Sequence, residues 1–167
     1  TLFQKAGARN VLWVFCPNAE SVPNDSYDKS ASWNRIENYY PGDKYVDIQG
    51  IDGYNWGTTQ TKAKNGWNSQ WKAFADIFGP ARDTLRQLAP NKPILVFETA
   101  SVNQGGDKGL WIKNAFDTAK AWHLNGLVWF QVKKENDWRI NSDGGATESI
   151  QVSPDCSPHQ WIRGLVK

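Results

Sequence analysis

The sequence predicts an α/β fold built on parallel strands, and three observations carry the prediction. Four short apolar runs alternate with stretches of helical character, the order expected of parallel βα units. Runs such as Ile94-Leu95-Val96-Phe97 and Leu127-Val128-Trp129-Phe130 are apolar at every position, as in strands covered on both faces. The loops that follow strands are long and polar, whereas those leading into strands, such as residues 89–93, are short.

Taken in order, residues 1–6 followed by Gly7 read as the last turns of a helix with its C-terminal glycine, one expected to begin before the first residue. The four strands are expected at residues 10–16, 46–52, 94–98 and 126–132, each too short for a helix. Helices are expected at residues 71–88 with a break near Gly79-Pro80, at 108–123, and at 158–167. Loops 17–45 and 131–157 are long, polar and rich in Asn, Asp and Ser, with eight of the ten serines. In (β/α) barrels such post-strand loops build the active site. No internal repeat or low-complexity tract is present.

With 167 residues, 40% of them hydrophobic and 22% charged, the composition fits one soluble globular unit. No run approaches the roughly 18 apolar residues needed to cross a bilayer, and no signal segment opens the chain. A net charge of +2 from 19 basic and 17 acidic side chains leaves no footprint for nucleic acid or an anionic membrane. Cys16 and Cys156 lack CxxC or His spacing, so neither a disulfide framework nor a zinc site is supported; free thiols are favoured over one bridge. The ten tryptophans are several times average usage. Part of that excess is core, but an indole face is also the surface on which the C–H face of a sugar packs.

Glu98 ends the third strand, where a buried carboxylate is costly unless hydrogen-bonded or paired. An ion-paired strand-end glutamate is the plain alternative. Its place at a C-terminal strand edge, ahead of Thr99, Ala100 and Ser101, favours a reactive group at a barrel mouth. On the preceding strand Gly50, Asp52 and Tyr54 share a face by two-residue alternation, so the Tyr54 phenol can donate to Glu98. The plain alternative for Tyr54 is a packed strand-end aromatic.

Five segments, Val11 to Asn18, Tyr39 to Asp47, Gly50 to Gly57, Lys92 to Ser101 and Val128-Trp129-Phe130, together with Asp137-Trp138-Arg139, resemble glycoside hydrolase family 26, whose members include retaining endo-β-mannanases, β-glucanases and xylanases. The resemblance implies a (β/α)8 TIM barrel in which these are strands five to eight, so residues 1–167 would form the C-terminal half of a catalytic domain. It implies Glu98 as nucleophile, Tyr54 as the residue orienting it and Trp129 as a sugar-stacking platform. Asn18, Asp52, Trp56, Trp138 and Arg139 would line or support the cleft, with polar hydrogen bonding by Asn18 and Arg139. For Trp129 the alternative is a barrel-core aromatic, and for the other five it is loop and turn structure.

The implied activity is retaining, endo-acting hydrolysis of β-1,4-mannan or a related β-glycan, outside the cell and without metal or organic cofactor. The implied partners are the polysaccharide and the N-terminal half of the barrel, with no nucleic acid and no membrane. One departure stands out: the family's acid/base glutamate lies in a His-Glu-x-Asn type motif, and no such motif occurs here. Glu20, Glu37, Glu135 and Glu148 fall in loops or a connecting helix, and a whole barrel needs about 250 residues. By itself the chain is therefore expected to be inactive. A non-catalytic carbohydrate-binding module or a structural half-barrel is the rival reading, the former usually a β-sandwich.

Overall fold

A computed structural model describes residues 2–142 and residue 144. Four strands, β1 (Val14–Phe15), β2 (Ile48–Asn55), β3 (Ile94–Ser101) and β4 (Gly126–Trp129), form one sheet in the order β1-β2-β3-β4. Every neighbouring pair is parallel. The helices are α1 (Leu2–Lys5), α2 (Lys62–Asn65), α3 (Phe74–Leu88) and α4 (Lys108–Ala121). Two of these, α3 and α4, are the crossovers that parallel pairing requires. The expected helix at 158–167, Cys156 and Glu148 lie outside the described residues.

Alternation along the strands separates two faces. Ile51, Ile94 and Val96 point toward the helices and close a core with Phe74, Phe78, Ala81 and Leu85 of α3 and Trp111, Ile112, Ala115 and Ala119 of α4. Each large side chain buried there contributes about 1.5–3 kcal/mol. Gln49 on the same face donates its amide to the Leu85 carbonyl at 2.8 Å, which ties β2 to the end of α3. The opposite face carries Gly50, Asp52, Tyr54, Leu95 and Phe97. It is the more open one, with Val128 half exposed.

Several boundaries differ from those expected. The first strand shrinks from 10–16 to two residues, because β1 has a neighbour on one side only. Its Trp13 amide bonds the Asp47 carboxylate at 2.7 Å instead of a ladder carbonyl. β2 and β3 run three residues further than 46–52 and 94–98, which places Tyr54 and Glu98 within strands. β4 stops at Trp129, and the chain turns back through a Lys133–Asp137 bridge and a Trp138 amide bond to the Val132 carbonyl. α3 starts at Phe74 rather than 71 and passes through Gly79-Pro80 unbroken. Proline inside a helix costs about 3 kcal/mol, and four buried α3 side chains outweigh it. α4 ends at Ala121 and is capped by Asp107, which accepts the Leu110 amide at 2.8 Å. At the N-terminus Gly7 takes φ +82° after α1, as a helix-ending glycine does.

One irregularity matters for the site. Ile51 pairs with Val96 but Asp52 pairs with Glu98, and on the other side Val96 pairs with Leu127 while Thr99 pairs with Trp129. β3 therefore carries one residue more than both neighbours at this level, a β-bulge. Phe97 and Glu98 consequently both face away from the helices. Without the extra residue Glu98 would follow Val96 into the apolar core.

Candidate active site

The site sits where the C-terminal ends of β2 and β3 meet. The Tyr54 hydroxyl donates to Glu98 Oε2 at 2.6 Å, the length of a charge-assisted O–H···O bond. Burial first, then the bond to Glu98 and the carboxylate charges of Glu98, Asp52 and Glu135, push the Tyr54 phenol far above its ordinary value. The phenol is thus a permanent donor and fixes one oxygen of Glu98.

Asp52 lies directly across the ladder from Glu98 and accepts the Cys16 thiol at 3.3 Å. Burial, first, pushes the Asp52 carboxyl above its ordinary value, and the Glu98 charge adds to this; the Cys16 thiol and the Glu98 amide pull the other way. Gly50 makes this corner possible, because a Cβ there would stand 2.6 Å from Cys16 Sγ and 2.7 Å from the Phe97 ring. Asn18 bridges to Asp52 through the backbone and is itself exposed.

Aromatic rings wall the pair. Tyr54 meets Trp138 at 5.0 Å, Phe130 edge-on at 5.8 Å and Trp56 at 6.4 Å. Trp56 in turn stands perpendicular to Trp138 at 4.9 Å. Trp138 is only 1% exposed and packs against both Tyr54 and Trp56. The half-buried Trp129 ring meets Trp111 of α4 at 6.1 Å and the Lys108 ammonium at 5.8 Å, and its indole N–H donates to the Trp138 carbonyl at 2.8 Å. It therefore leans toward the helix side, and Phe130 is the ring that reaches Tyr54. Arg139 forks onto Asp137 at 2.8 and 2.6 Å; that bond holds the Asp137 carboxyl down to about 2.

Glu98, Tyr54, Asp52, Trp56 and Trp138 are thus brought together, while Asn18, Trp129 and Arg139 stand at the margins. The sequence reading missed Cys16, Phe130 and above all Asn55. Buried Asn55 donates to Ser101 Oγ at 2.9 Å and accepts the amides of Gly57 and Lys72 at 3.2 and 3.1 Å. It knots the ends of β2 and β3 to the loop before α3. An asparagine at the very end of β2, between Tyr54 and Trp56, was the available signal.

Two further glutamates have partners: Glu20 pairs with Lys72 at 3.4 Å, and Glu135 accepts the Trp138 indole N–H at 3.1 Å, where its charge also bears on Tyr54. Among the described residues no group of three His, Cys, Asp or Glu side chains is placed to hold a metal ion. No described helix is long and apolar enough to cross a membrane.

A parallel sheet with helices on one face and polar groups gathered at the C-terminal strand ends defines part of an α/β barrel. The chain belongs to glycosyl hydrolase family 26, whose sequence profile matches residues 1–144. It is 42% identical over 143 residues to Endoglucanase H of Acetivibrio thermocellus, covering 84% of this chain and 14% of that protein. In three dimensions it resembles the GH26 domain of an endo-β-mannanase/endo-β-glucanase from Prevotella bryantii, with TM-score 0.53 and 21% identity over 91% of this chain and 36% of that one. A GH26 β-mannanase from Bacteroides ovatus matches with the same score and identity over 93% and 40%. At that identity the likeness speaks for the fold alone. The chain spans well under half the length of each of these relatives.

Proposed function

We propose that this chain supplies the nucleophile half of a retaining, endo-acting β-glycanase, with Glu98 as the nucleophile. The observation that carries the reading is the 2.6 Å bond by which Tyr54 aims and holds the Glu98 carboxylate at the C-terminal end of a barrel strand. A Glu98 oxygen attacks the anomeric carbon as the glycosidic C–O bond breaks, and a carboxylic acid from a strand outside these residues gives its proton to the leaving oxygen. That same group then takes a proton from the water that displaces Glu98. The two carboxyls are expected roughly 5–5.5 Å apart, as in retaining enzymes.

Around this pair, Asp52, Asn18 and Arg139 offer hydrogen bonds to sugar hydroxyls. Trp56 offers a ring face and half-buried Trp129 the part of its ring left clear of α4, with Phe130 added because it stands beside Tyr54, and Trp138 braces them. The rest of the barrel is the partner this half requires, and the working place is outside the cell. Family membership and the parallel sheet favour this reading over a β-sandwich binding module.

For substrate, β-1,4-mannan is the first choice, in line with the mannanases that share the fold. The name of Endoglucanase H, the relative at 42% identity, favours a β-glucan as the second reading. Initial rates on mannan, mixed-linkage β-glucan and xylan decide between them.

The deciding experiment uses the protein carrying the complete barrel. Glu98→Ala is expected to lower kcat by several orders of magnitude with an unchanged thermal melt. Tyr54→Phe, which loses a bond to a charged acceptor worth about 1.5–3 kcal/mol, is expected to lower it about 10- to 100-fold. Near-normal turnover by Glu98→Ala sinks the assignment.

A further inference from the structure

We propose that Trp67 is a further sugar-binding residue, a platform for a pyranose ring of the same β-glycan chain at a distance from the bond that Glu98 attacks; this rests on the glycanase reading above. Trp67 is 46% exposed, yet its ring is not isolated. It stands edge-on to Trp56 at 6.0 Å, and Trp56 stands 6.4 Å from Tyr54. The three rings thus follow one another in contact from the Tyr54–Glu98 bond to Trp67, the exposed member of the set. Because the planes of Trp56 and Trp67 lie 79° apart, a chain passing over Trp56 meets Trp67 as a side wall, not as a continuation of the floor.

Single exposed apolar side chains are ordinary. What sets Trp67 apart is how firmly its loop is built. The Ser69 amide bonds the Gln60 carbonyl at 3.1 Å and the Gln60 amide bonds Ser69 Oγ at 2.9 Å, closing the base of the loop. Inside it, Asn65 accepts the Thr61 amide at 3.1 Å, Asn68 accepts the Lys62 amide at 2.7 Å, and Gly66 ends α2 in the left-handed region at φ +80°. The loop thus holds the indole out in one place, so a ligand meets a surface whose ordering cost is already met. An indole offers a flat apolar face and one N–H donor, which suits the C–H face and hydroxyl rim of a pyranose.

The test compares Trp67→Ala and Trp67→Phe with the unaltered complete-barrel protein. The substrates are two hexasaccharides, β-1,4-mannohexaose and a mixed-linkage β-glucan hexasaccharide, and the aryl β-disaccharide of the same sugar. Trp67→Ala is expected to lower kcat/KM on the cleaved hexasaccharide about tenfold, about 1.4 kcal/mol, through KM. The aryl disaccharide should change less than twofold, and Trp67→Phe should recover most of the loss. An unchanged hexasaccharide rate, or equal losses on long and short substrates with a lowered melting temperature, overturns the subsite and leaves the glycanase reading intact. If the unaltered protein cleaves none of these substrates and releases no reducing sugar from xylan, it is the glycanase reading itself that fails.

Discussion

Cys16 touches the site from behind, and its chemistry is set by its neighbours. Its side chain is accessible, yet its thiol is pushed up to about 12, first by desolvation and then by the charge of Asp52, the bond to Asp52 and the charge of Glu98. An unfolded cysteine titrates near about 8.5. Between those values the folded chain keeps a proton that the unfolded chain loses, so this thiol's contribution to stability is whole below about 8.5 and falls as pH rises toward 12. At pH 8, iodoacetamide is expected to leave Cys16 largely unmodified in the folded protein and to alkylate it in urea, as read by peptide mapping. Equal labelling in both states refutes the protonated, Asp52-bound thiol. The Tyr54–Glu98 bond was legible only in part: alternation puts Tyr54 on the face of Asp52, whereas the turn of Glu98 to that same face depends on the bulge in β3. The Cys16–Asp52 contact was not legible, since it depends on a close approach across Gly50 between strands far apart in the chain.

At the scale of elements, the paired ends of β2 and β3 are held by the Asn55 knot in addition to their ladder bonds. Replacing Asn55 with alanine strands the Gly57 and Lys72 amides and removes a donor to Ser101 Oγ, which keeps its bond to the Val102 carbonyl; each buried unsatisfied group costs about 1–3 kcal/mol. Asn55→Ala is therefore expected to destabilise the complete-barrel protein by about 2–4 kcal/mol in a urea melt; a loss under about 0.5 kcal/mol contradicts the knot. The four strands and both crossover helices could be read from the apolar runs. Their ends could not, because edge position shortened β1 and side-chain bonding lengthened the ordered ends of β2 and β3. The continuity of α3 was hidden by Pro80, a local breaker overruled by tertiary burial. Trp129 shows the same limit: its type pointed to a sugar, but the packing that decides which way it leans involves α4.

As a whole molecule the chain presents a sheet with outer strands β1 and β4 and an open inner face bearing Leu95, Phe97 and Val128. Such unpaired edges invite association. Expressed alone, residues 1–167 are expected to aggregate or self-associate and to release little or no reducing sugar from mannan. Clear activity from a monodisperse monomer argues that an acid/base lies within this chain. The parallel βα units were legible from the order of elements, and the partial barrel from the family resemblance; the bulge in β3 was not, since a one-residue surplus is defined only against neighbouring strands. That surplus splits β3 into two phases. Below it the odd-numbered side chains look inward, and above it the even-numbered ones do. Substitutions at 94 and 96 therefore remodel the helix-side packing without turning Glu98, and the strand's upper half is free to diverge under selection for chemistry while its lower half diverges under selection for stability.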